Sequence, residues 1–151
     1  MALWNQLRNQ TQSMQQTLNA KKNDFKSGAF RDATMAMCAL IAAADGSVDP
    51  EERRKVASLI SQNEVLQHFP ADQLQQVFND DVDKLQRDFD FGKVSILQEI
   101  AKVKKKEDEA RAVIQIGIII GGADGNFDEA EKKAVRDACH AVGLPPAEFD
   151  L

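Results

Sequence analysis

The sequence predicts an all-α protein: a compact helical domain with two pseudo-symmetric helical hairpins around a central helical pair. Three observations predict it. The acidic stretch "ADGSVDPEERRK" at 44–55 returns as "ADGNFDEAEKK" at 123–133, and each copy follows an apolar run and leads into a charged amphipathic stretch. The repeated unit is therefore larger than the loop. With no Tyr, one Trp and 4 Pro beside 43% hydrophobic residues, the composition disfavours a many-stranded β protein. Between and around the loops, apolar residues recur at helical spacing.

Residues 1–22 form an amphipathic N-terminal helical segment, with Leu3, Trp4, Leu7, Met14 and Leu18 on one face of a Gln-rich stretch. That face is expected to dock on the protein's own body, the alternative being a partner or membrane contact through Trp4 and Leu7. Residues 23–151 form a single all-helical domain, a length that suits one core without staples. "ATMAMCALIAAA" at 33–44 is apolar all round and rich in helix formers, as a helix buried among helices would be. Past the first loop, Val56, Leu59 and Ile60 supply an i, i+3, i+4 stripe. Leu74, Val77, Phe78, Val82, Leu85 and Phe89 trace the first central helix; Gly92 is expected to interrupt it, and Ile96, Leu97, Ile100 and Val103 trace the second. Phe89 and Phe91 are expected to anchor the core beside that break.

"AVIQIGIIIGGA" at 112–123 is β-branched enough to pass for a buried strand, but its counterpart at 33–44 decides for helix. Gly117 and Gly121, four apart, leave room for a neighbouring helix. Val135, Ala138 and Cys139 then repeat the stripe of Val56, Leu59 and Ile60, so Cys139 stands where the first copy has Ile. Gly143 is placed to cap this last helix, and Pro145 and Pro146 open a turn that folds Phe149 and Leu151 back on the core.

The balance of charge narrows the function. A net charge of −5 with acids and bases mixed along the chain lacks the basic footprint of a nucleic-acid binder. Cys38 and Cys139 lack metal-type spacing and sit in apolar patterns, which suits buried thiols in a reducing cytoplasm and leaves a disulfide between them open. Without a secretory pattern or an apolar run near the ~20 residues of a membrane span, the chain is expected to be soluble and cytoplasmic.

Much of each acidic loop is explained by chain geometry. Asp49, Pro50 and Glu52, and again Asp128 and Glu131, have the layout of a helix N-cap, and Gly46 and Gly125 supply a left-handed residue after a helix. Asp45 and Asp124 are harder to dismiss, because each follows an apolar helix, where the dipole disfavours a carboxylate by roughly 0.3–1 kcal/mol. A hard cation would offset that cost and the mutual repulsion. The candidate ligands are Asp45, Asp49 and Glu52 in the first loop and Asp124, Asn126, Asp128 and Glu131 in the second, with Ca2+ or Mg2+ as the ion. The second loop resembles the start of an EF-hand but is not one: Glu129 replaces the Gly at position six and Val135 the Glu at position twelve.

Other constellations carry less. "DFG" at 90–92 has no nucleotide loop or catalytic loop to accompany it, and His68 and His140 have no nucleophile to activate, so no organic cofactor or catalytic residue is assigned. Lys102, Lys104, Lys105 and Lys106 form a basic run suited to a solvated helix end or, alternatively, to an acidic partner or an anionic membrane. The series Asp80, Asp81, Asp83, Asp88 and Asp90 is expected to give a patch of opposite sign, an arrangement suited to scaffolding.

The paired ADG-x-x-D-x-x-E loops, "FDFGK" at 89–93 and the closing "GLPPAEFDL" together resemble the tellurite resistance protein TerB family over essentially the whole chain. The resemblance implies an all-helical fold with two pseudo-symmetric halves, and a role in bacterial tellurite and chemical-stress resistance. It also implies an acidic, metal-chelating surface without demonstrated catalysis, and partners in a TerC-type membrane protein and TerD-type calcium-binding proteins. The resulting expectation is a non-enzymatic, metal-binding adaptor that links soluble partners to a membrane-associated complex, cytoplasmic or peripheral at the inner face of the cell membrane. A metal-dependent hydrolase using the paired carboxylates is the alternative.

Overall fold

The computed structural model describes residues 12–121, 123 and 127–151. Among them are seven α-helices and no strand: α1 (12–20), α2 (Gly28–Ala42), α3 (Pro50–Gln62), α4 (Ala71–Arg87), α5 (Phe89–Ala101), α6 (Glu107–Gly121) and α7 (Glu129–Val142). The first hairpin is α2–α3, the second α6–α7, and α4–α5 lies between them in the chain. The hydrophobic pattern explains the layering. Every residue from Ala33 to Ile41 is buried, so α2 is surrounded, packing against α4, α5 and α6.

The β-branched run of α6 is helical because it packs on α2 along its two glycines. A Cβ at Gly117 would lie 2.5 Å from Met37 Cγ, and one at Gly121 would lie 2.5 Å from Ile41 Cγ2. Both α2 side chains occupy the space the glycines leave, which allows the close approach of two buried helices. Cys38 and Cys139 are both buried and free. Cys139 faces the core where a hydrophobe stands in the first copy, which accounts for its packing role.

The α4–α5 joint differs from expectation. The break falls at Asp88, an extended residue (φ −159°, ψ 106°) that ends α4 and caps α5 by accepting a hydrogen bond from Phe91 N at 3.2 Å. Gly92 does not interrupt anything; it lies inside α5, its N–H bonded to Asp88 O at 2.8 Å. There it meets α4 so closely that a Cβ would sit 2.7 Å from the backbone oxygen of Lys84. The glycine serves helix approach, and the polar cap makes the turn. Phe91 is likewise no core anchor. It is 78% exposed on the outer side of α5, while Phe89 packs partly against the core.

The acidic series is not one patch. Asp83 pairs with Arg53 of α3 at 2.8 Å, Asp88 is a cap, and Asp81 is buried among the apolar residues of α4. At the N-terminal end, Leu18 of α1 is buried and Met14 packs on the core, so the described part of this helix docks on the body. Trp4 and Leu7 lie outside the described residues. At the other end Gly143 is left-handed (φ 76°) and caps α7, and the 3-10 turn Pro146–Phe149 returns Phe149 to the core.

Candidate metal site

Each twin loop is built from a helix exit and a capped helix entry. In the first, Gly46 adopts φ 118°, which side-chain-bearing residues rarely do, and its N–H donates to Ala43 O at 3.1 Å. Asp49 then accepts from Glu52 N at 2.8 Å and starts α3, with Pro50 at the first helical position. In the second, Asp128 accepts from Glu131 N at 2.8 Å while Glu131 Oε1 accepts from Asp128 N at 3.1 Å, a complete capping box opening α7. Each cap contributes about 1 kcal/mol. Val48 and Phe127, at the same loop position in the two copies, are both buried and pin the loops to the core. Gln86 of α4 braces the first loop, its amide nitrogen donating to Gly46 O at 3.2 Å and its amide oxygen accepting from Val48 N at 3.3 Å.

The two loops meet. A pocket of about 370 Å³ is lined by Asp45 and Glu52 from the first copy and by Asp128 and Glu131 from the second. Its walls are apolar, contributed by Ile41, Val56, Leu59 and Ile120, and Lys55 and Cys38 also line it. Burial pushes the Cys38 thiol up to about 12, so it stays protonated and is no soft ligand at neutral pH. Asp49 is absent from this lining: it is exposed and its carboxylate is engaged in the cap. Asp124 and Asn126 lie outside the described residues.

The donor chemistry fits a hard cation, since carboxylate oxygens are the ligands Ca2+ and Mg2+ prefer. The described geometry supplies only part of a coordination shell. Among the described residues no group of three or more His, Cys, Asp or Glu is gathered closely enough to hold an ion. Lys55, which no residue pattern singled out, is placed to offset part of the negative charge in the pocket. Its signal in the sequence was its position one turn after Glu52, facing the same way on α3.

The comparison with known proteins follows the same residues. The sequence profile of the family described as "Tellurite resistance protein TerB" matches residues 31–151. The chain belongs to the TerB family. The match starts within α2 and takes in both acidic loops, the α4–α5 joint and the closing turn. "Tellurium resistance protein TerB" of Alcaligenes sp is 25% identical over 118 residues, covering 78% of this chain and 97% of the relative. No solved structure matches the chain.

The remaining predicted residues lie elsewhere. Lys102, Lys104, Lys105 and Lys106 are exposed at the end of α5 and in the turn to α6; Lys102 pairs with Glu99 at 3.0 Å and Lys106 with Glu109 at 4.0 Å. His68 bonds the Phe25 carbonyl at 2.8 Å, a structural contact. No helix among the described residues is long and apolar enough to cross a membrane.

Proposed function

We propose that this TerB-family protein acts in tellurite resistance as a non-enzymatic adaptor whose twin-loop pocket takes one divalent cation. The observation that carries the reading is the convergence of Asp45, Glu52, Asp128 and Glu131, two carboxylates from each repeat, on one pocket. Asp124 and Asn126 belong to the same second loop and complete the proposed ligand set. A bound hard cation would add to the positive charge that Lys55 brings to this pocket, and so tie the α2–α3 corner to the α6–α7 corner.

Membership of the TerB family supports the tellurite-resistance role. The adaptor role extends it: the cation-loaded corner would engage TerD-type calcium-binding proteins, and the basic residues Lys102, Lys104, Lys105 and Lys106 would face a TerC-type membrane protein or the anionic inner leaflet.

The test is survival on tellurite of a bacterium lacking its own TerB gene and carrying this one. Asp45→Asn combined with Glu131→Gln removes two charges while Gln keeps the capping-box hydrogen bond. Protection is expected to fall to that of the empty strain with the melting temperature preserved. Full protection by the double variant would overturn the reading.

A further inference from the structure

A second acidic pocket lies away from the twin loops, where α4 and α5 pack on α2. It measures about 200 Å³ and is lined by Asp32, Val77, Asp80, Asp81, Lys84 and Glu99. Two of its carboxylates are already engaged, Asp32 with Arg31 at 2.9 Å and Glu99 with Lys102 at 3.0 Å. Asp81 is in a different situation. It is only 5% exposed, and among the described residues no hydrogen bond or ion pair engages its carboxylate. Among the described residues no side-chain oxygen is both sealed from solvent and without a hydrogen bond, so the Asp81 carboxylate, on a residue otherwise almost wholly buried, keeps its open side toward the pocket. Burial pushes the Asp81 carboxyl up to about 7; Lys84 opposes the shift, and Glu99, Asp32 and Asp80 add to it.

We propose that this pocket receives a guanidinium group, the side chain of an arginine on a partner protein. Three observations select that chemistry. The pocket is smaller than the ~300 Å³ at which small-molecule sites begin, which fits one side-chain head. Its carboxylates are not gathered closely enough to hold a bare ion, whereas a planar fork of five N–H donors spans separated acceptors. Guanidinium is also more weakly hydrated than an ammonium, so it gives up less on meeting a buried carboxylate. Asp81 is the inner acceptor and Asp80 the outer one. Lys84 lines the same pocket and weakens the attraction. The site is separate from the twin loops and does not depend on a cation there.

The test uses the full chain, 15N-labelled, titrated at fixed ionic strength with N-acetylarginine amide and, separately, with N-acetyllysine amide. Amide shifts are expected at Val77, Asp81, Lys84 and Glu99, with arginine binding about fivefold tighter than lysine. Asp81→Asn, close in shape and uncharged, is expected to weaken arginine binding about tenfold, and Lys84→Gln to strengthen it. The Asp81 carboxyl, followed by 13C, should titrate at lower pH when arginine is bound. Equal shifts from arginine and lysine would reduce the effect to charge screening and overturn the proposal. So would undiminished binding by Asp81→Asn, or a Lys84→Gln variant that binds no better.

Discussion

Replacing Phe78 with alanine is expected to lower the unfolding free energy by about 3–5 kcal/mol, the range for emptying a buried aromatic site. Phe78 is fully buried on α4, a helix that packs against α2, α5 and α3. The neighbours cannot readily close the void, because α2, which packs on α4, is also held by α6 at Gly117 and Gly121. Against a total stability of about 5–15 kcal/mol the loss is a large fraction. Urea unfolding followed by far-UV circular dichroism measures it as a lower midpoint with an unchanged slope. A loss below about 1 kcal/mol would mean that α4 does not seal this core.

Gly92→Ala is the second large effect, expected at about 1–3 kcal/mol destabilising. In an open helix the same change would stabilise by roughly 0.5–1 kcal/mol. Here the new methyl group would lie 2.7 Å from Lys84 O and 3.1 Å from Leu85 Cα, backbone atoms that cannot rotate aside. The comparison that isolates the cause is Gly28→Ala. Its methyl group would meet nothing nearer than the end of the Arg31 side chain at 3.6 Å, so no such loss is expected there. If both variants lose equally, or Gly92→Ala is stabilised, the close contact of α4 with α5 is not what this glycine serves.

The joint between α4 and α5 also shows where the sequence was readable and where it was not. The apolar run of α2 and the repeat that placed α6 beside it were plain in composition and order. The caps at Asp49 and Asp128 were plain too, because they follow from local chain chemistry. Gly92 was misread because a glycine amid apolar spacing looks like a break, whereas its reason is the proximity of another helix. Asp88, the actual break, is one acid among several. Asp81 was misread as surface on its charge alone. Its spacing from Leu74, Phe78 and Leu85 places it on the buried stripe, and that period was visible.

The candidate site was legible as residue types and not as a place. Both loops offered the same acids, yet nothing in their order shows that Asp45 and Glu52 turn toward Asp128 and Glu131 while Asp49 turns outward. That Lys55 and the apolar walls share one pocket with these acids follows only from the packing of α3 and α7 around the ends of α2 and α6.

Titration of the 15N-labelled protein with Ca2+, and then Mg2+, tests the shared pocket most directly. The amides of Gly46, Val48, Phe127 and Asp128 are to be followed in the intact protein and in Asp128→Asn. If both repeats hold one ion, all four amides move along a single isotherm that saturates at one ion per chain, and Asp128→Asn weakens the response of Gly46 as much as that of Phe127. Amides that do not move at millimolar ion, or a first loop that responds unchanged when Asp128 is replaced, would contradict it.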